Sequence, residues 1–144
     1  MMFQRINRDD PERMTMSVYN AASSAIPAGG SVIWDPIAGT TDGVRVTTPS
    51  TGFLGMVAGI APRAIPQGSY GVIQVYGFLA TAMVTSEAAQ AASIGDPLVP
   101  VNGQFHLIRA GAPTSSPPIG MILMEAIPAG GPTVALRKVF IRLL

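Results

Sequence analysis

The chain has no cysteine, one histidine and one lysine among its 144 residues. It therefore holds no disulfide framework, no thiolate nucleophile and no Cys-based zinc site. A single His excludes a His pair or a His-rich metal centre. Charge is scarce as well. Nine basic and eight acidic side chains make up 12% of the residues, against about 25% in an average soluble domain. One Lys and eight Arg, offset by eight acids, cannot build the basic face that nucleic-acid binding requires. Long apolar runs are missing too. Residues 52–61 and 119–127 are the most apolar stretches, and both fall short of the roughly 20 residues of a spanning helix. The first thirteen residues carry six charges and no apolar core of a signal peptide. The expectation is a soluble chain made without export, with no cofactor and no metal.

What is present is glycine, proline and aliphatic residues. Sixteen Gly and thirteen Pro make one residue in five, which leaves no room for long helices. Apolar residues still reach 48%, too many for a disordered chain. Charge is unevenly placed: six of the seventeen charged residues lie in residues 1–20 and eleven in residues 21–144. The segment 1–20 reads as a polar N-terminal arm leading into a first strand near residues 14–19. Residues 21–144 read as one β-rich body. Further strands are expected at 32–35, 44–48, 54–60, 71–84, 97–101, 104–108, 120–126 and 133–143, several with period-two alternation. Asp42-Gly43 and Asn102-Gly103 are the strongest hairpin signals, because both residue types tolerate positive φ. One short Ala-rich window, 86–92, is the only helical candidate.

The chain repeats itself. Gly55-Met-Val-Ala-Gly-Ile60 corresponds to Gly120-Met-Ile-Leu-Met-Glu125, and Ala64-Ile-Pro-Gln-Gly68 to Ala126-Ile-Pro-Ala-Gly130. Ile-Pro-x-Gly also occurs at Ile26-Pro-Ala-Gly29. Pro fixes φ, Gly turns the chain, and the Ile before them anchors the turn in a core. Two similar half-domains, about 26–84 and 94–144, are expected to pack as one body. The fold class is all-β: a compact β-sandwich or small β-barrel of two half-domains with an extended arm.

Catalytic signals are weak. His106 has no acid beside it in sequence, and Ser115-Ser116 sits in a Pro-rich loop. Neither an esterase elbow nor a zincin motif occurs. Glu125 stands alone in an apolar run and reads as a rim salt bridge to an Arg. No catalytic residue is assigned. Interaction is the better reading, since Arg, Tyr and Trp are favoured at interfaces. Arg5, Arg8, Arg13 and Tyr19 are the arm-contact candidates. Trp34 is either core or an interface anchor. Tyr76 and Phe78 share one face of a strand, as core, interface or, with Tyr70, a sugar-binding platform.

Five phrases carry a resemblance. They are Asp42-Gly-Val-Arg-Val-Thr-Thr48, Gly55-Met-Val-Ala-Gly59, Gly71-Val-Ile-Gln-Val-Tyr-Gly77, Gly95-Asp-Pro-Leu98 and Val139-Phe-Ile-Arg142. In that order they resemble the head decoration, or cement, proteins of tailed bacteriophages, over residues 14–144. The resemblance implies a β-rich fold without enzymatic activity. It also implies a virion location on the capsid exterior, after synthesis in the host cytoplasm. The implied partners are the major capsid protein and copies of this chain, as a trimer or, next, a dimer. No nucleic-acid or membrane partner is expected. The alternative is a carbohydrate- or receptor-binding β module of a head fibre or tail.

Overall fold

Short alternating segments punctuated by Gly build nine strands in a computed structural model that describes residues 12–37, 42–86, 91–110, 120–130 and 133–143. They are β1 (Arg13–Asn20), β2 (Ser31–Trp34), β3 (Arg45–Thr47), β4 (Val57–Ile60), β5 (Tyr70–Thr85), β6 (Leu98–Pro100), β7 (Leu107–Arg109), β8 (Met121–Leu123) and β9 (Val134–Arg142). Among the described residues there is no helix. Most of the helical window lies outside the described residues. At its end, Ala92 forms an antiparallel bridge to Ile127.

Strand order β1-β3-β2-β4-β5, with β5 pairing back to β1, closes a five-stranded barrel. Of sandwich and barrel, the structure forms the barrel. A second ring uses the other half of β5: it pairs β7, β7 pairs β6, and β9 pairs both β8 and β5. The bridge Pro97↔Ile122 joins β6 to β8 and completes that ring. The pairings correspond one for one. β1 meets β3 in parallel as β5 meets β7. β2 meets β3 as β6 meets β7, and β4 meets β5 as β8 meets β9.

Each ring has its own core. Val18, Ile26, Val32, Val46, Ile65 and Ile73 fill the first. Leu98, Leu107, Met121, Leu123, Val139 and Ile141 are among those filling the second. The Ile-Pro-x-Gly turns act as expected of them. Ile26 and Ile65 bond each other's backbone, N–H to carbonyl in both directions at 2.9 Å, and both side chains enter the first core. Ile127 does the same for the second core, opposite Ala92.

Loops lock the rings together. Phe105, between β6 and β7, packs against the first core, and its carbonyl accepts from the Ser31 N–H (2.7 Å) and hydroxyl (2.9 Å). The Asn102 carboxamide accepts from the Thr51 N–H at 2.8 Å. Gly43 and Gly103 adopt positive φ (71° and 70°). Both lie between antiparallel partners, but the connections run over 35–44 and 101–106 and are not two-residue turns.

Candidate interaction surface

Register brings three strands' ends together at one corner of the first barrel. Tyr19 of β1 lies opposite Arg45 of β3 on one side and Tyr70 of β5 on the other. The two tyrosine rings meet edge to face, with centroids 5.3 Å apart. The Arg45 guanidinium sits 5.6 Å from the Tyr19 ring centre, within cation–π range. Asp42 stands 3.6 Å from Arg45 Nε and accepts the backbone N–H groups of Val44 (2.9 Å) and Arg45 (3.0 Å). Those two N–H donors hold its carboxyl below the usual carboxylate range. Trp34, the last residue of β2, is half-buried against the first core with part of its ring still on the surface.

Arg45 thus forms a wall between two shallow cavities. One, about 120 Å³, is lined by Tyr19, Asp42, Val44, Arg45 and Tyr70. The other, about 220 Å³, is lined by Trp34, Asp35, Gly43, Arg45 and Met56. Tyr70 is 73% exposed, far more than a Tyr needs for one ring contact. Tyr, Trp and Arg around small recesses are the chemistry of an interaction surface. Arg45 escaped the sequence reading, although Asp42-x-x-Arg45 carried the signal of an acid that anchors a turn beside a cation.

Tyr76 and Phe78 lie elsewhere. Phe78 pairs with Phe140 across β5 and β9, and the Tyr76 ring meets Phe140 edge to face at 5.6 Å. Neither belongs to a core. With Met14 opposite Tyr76 and Ile122 opposite Phe140, they form an apolar strip across β1, β5, β9 and β8. Tyr70 is six residues up the strand from Tyr76, roughly 20 Å away. The three aromatics do not share one platform.

Arg13 opens β1, exposed, opposite Gly77. Tyr19 belongs to the barrel wall rather than to the arm. Arg5 and Arg8 lie outside the described residues. Gly77 has φ +99°, and a Cβ there would fall on the Glu12 carbonyl. Gly77→Ala is therefore expected to lift Glu12 and Arg13 off β5 and to cost about 1–2 kcal/mol. Faster amide exchange at residues 13–14 in the variant would check it.

His106 is half-buried in the loop before β7, one residue short of the strand expected to hold it. Its neighbours diverge, Phe105 to the first core and Leu107 to the second. Burial pushes its pKa below the ordinary 6.5. As pH falls through that value the unfolded chain takes up the proton first, so stability present at neutral pH is lost as pH falls below it. His106→Asn should flatten that part of the stability profile, read by thermal unfolding across the range. Glu125 pairs with Arg137 of its own chain at 3.0 Å. Ser115 and Ser116 lie outside the described residues. Among the described residues no group of three or more His, Cys, Asp or Glu side chains is placed to hold a metal ion, and no helix is long and apolar enough to cross a membrane.

No protein-family model and no curated protein matches the chain. What fold and surface define is a class: an all-β protein of two fused strand rings that exposes aromatic and aliphatic side chains around few charges.

Proposed function

We propose that this chain is a virion structural protein of the tailed-phage decoration type. It binds the outer surface of an assembled icosahedral capsid and stabilises contacts between major capsid subunits. It carries out no catalysis, and it works as a symmetric oligomer, a trimer first and a dimer next. The observation that carries this reading is the surface. Large apolar side chains stand exposed on both rings, among them Met14, Tyr70, Val72, Ile94 and Leu136, on a body poor in charge. Contiguous apolar patches mark contact sites, and the strip of Met14, Tyr76, Phe78, Phe140 and Ile122 is one. The ordered phrases that resemble those of decoration proteins point to the partner.

The physics of the role is mass action. A protein that binds only the assembled shell shifts the equilibrium toward it. Many copies on a lattice add avidity, so modest contacts suffice. β1 begins at Arg13, so a chain lacking residues 1–11 keeps every β1 pairing. That variant is expected to unfold within a few degrees of the parent, while its binding to capsids falls. Unchanged capsid binding would remove the arm from the account.

The second reading is a carbohydrate- or receptor-binding module of a virion. The corner of Tyr19, Tyr70, Arg45 and Trp34 favours it, because aromatic faces beside an Arg and an Asp suit sugar rings. Glycan-array binding abolished by Tyr70→Ala, with no capsid binding, would select it.

A further inference from the structure

The hairpin between β4 and β5 does not zip up. Ile60 pairs with Gln74, and then the chain swings away through Pro62, Arg63 and Ala64. Ile65 turns inward and packs over Gly71, where a Cβ would collide with its side chain. A cavity of about 390 Å³ remains on the outside, lined by Pro62, Arg63, Ala64, Ile65, Gly71 and Val72. Alongside it, residues 70–73 of β5 have ladder partners only in β1, among the described residues. An apolar groove thus runs beside a strand edge that nothing pairs, which is the geometry an extended peptide can enter by strand addition.

One segment of this chain has the matching chemistry. Residues 1–11 precede the described chain and begin Met1-Met2-Phe3-Gln4-Arg5-Ile6, followed by Asp9 and Asp10. Phe3 and Ile6 suit an apolar groove. Asp9 and Asp10 complement Arg63, which is exposed and makes no ion pair among the described residues. Eleven extended residues reach about 36 Å.

The exit point decides whose groove is filled. β1 carries its N-terminus to Gly77, about 17 Å along β5 from Val72 and on the side of β5 away from the groove. At Gly77 the other side of β5 is occupied by β9. An arm returning to its own groove would have to reverse and cross the face of β5. A neighbouring molecule's groove requires neither. We infer that residues 1–11 of one copy lie in the groove beside Gly71 and Val72 of the next, so that copies of this chain close into a ring by exchanging arms. Such a head-to-tail contact closes a trimer with one repeated interface. The inference rests on the oligomeric reading above and specifies its contact.

The chain lacks Cys, so an introduced pair reports cleanly. Gln4→Cys combined with Ala64→Cys leaves Phe3, Ile6 and Val72 in place. Mild oxidation at low protein concentration is expected to give disulfide-linked dimers and trimers on a non-reducing gel, while each single variant stays far less linked. Val72→Asp, with its fold checked by circular dichroism, is expected to weaken association at least about tenfold in native mass measurements, one charge in an apolar interface core being worth that much. An intrachain disulfide, oligomers that survive Val72→Asp, or a monomeric parent chain would each overturn the inference. Capsid binding by a monomer would leave the capsid-binding role standing and remove the oligomer and the exchange together.

Discussion

Asn20→Asp should cost about 3–5 kcal/mol at neutral pH, the range for an uncompensated buried charge. Asn20 ends β1 and is fully buried. Its amide nitrogen donates to the carbonyls of Ser24 (3.0 Å), Ile65 (3.0 Å) and Pro66 (3.2 Å). Its amide oxygen accepts from the Ala22 N–H at 2.9 Å. The side chain therefore ties the end of β1 to the Ile65-Pro66-Gln67-Gly68 turn and to the segment 22–24 that leads into Ile26. Asp has the same shape but turns a carboxylate oxygen onto those carbonyls, with no hydrogen to offer. Protonation restores one donor, so the folded-state pKa of the new carboxyl is raised. Its deficit against the parent should then shrink as pH drops towards about 4. Asn20→Ala should cost less, about 1–3 kcal/mol, because it orphans acceptors without burying charge. Denaturant unfolding of both variants at two pH values checks the order. An Asp variant as stable as the parent at neutral pH would refute this role for Asn20.

Ile65→Ala and Ile127→Ala should each lose about 2–5 kcal/mol, the range for truncating a fully buried Ile. The two residues are 2% and 5% exposed and sit at corresponding turns, each against a separate core. Ile65 has less chance to be replaced by collapse, because Gly71 beneath it offers no side chain to fill the space. It should therefore show the larger loss. β5 is a wall of both rings, so losing either core exposes the strand on which the other depends. Each variant should melt in one transition at a lower temperature. Two resolved transitions in calorimetry would show that the rings unfold independently.

Much of this fold was legible in the sequence, and the reason is local chemistry. Short apolar segments bounded by Gly and Pro placed all nine strands, several with period-two alternation as in β9, while β4 is buried along its whole length. The Ile-Pro-x-Gly phrases were legible because Pro, Gly and a buried Ile fix a turn without help from distant residues. Strand ends were less so. Residues 54–56 alternate like a strand but form a turn, with the Met56 N–H bonded to the Phe53 carbonyl at 2.9 Å. Gly77 falls inside the strand expected at 71–84 and lies in the middle of β5. It is tolerated because the Glu12 carbonyl needs the space, and that contact spans 65 positions of sequence.

The candidate site was half legible. Tyr19 and Trp34 were singled out for their residue types, and they do flank Arg45. Arg45 itself gained its place from register: pairing opposite Tyr19 in parallel is a non-local event that no spacing announces. The same holds for Asn20. Its three acceptors lie 4, 45 and 46 residues away, so its sequence neighbours give no hint of its role. Tyr70 was grouped with Tyr76 and Phe78 by alternation along one strand. Distance along β5 and the edge contact with Tyr19 separate it from them.

Scarcity of charge takes on a physical meaning in this arrangement. Among the described residues of the body, three ion pairs hold six of the charges, as in Arg109–Asp96 at 2.9 Å and Arg137–Glu125 at 3.0 Å, while aliphatic and aromatic groups face outward. Such a surface fits a protein that spends its working life covered. Co-sedimentation with mature capsids of tailed phages tests the proposed role most directly. The account predicts saturable binding at a whole-number ratio to the lattice positions, together with a higher capsid melting temperature. No co-sedimentation, and a capsid that melts unchanged at saturating protein, would contradict it.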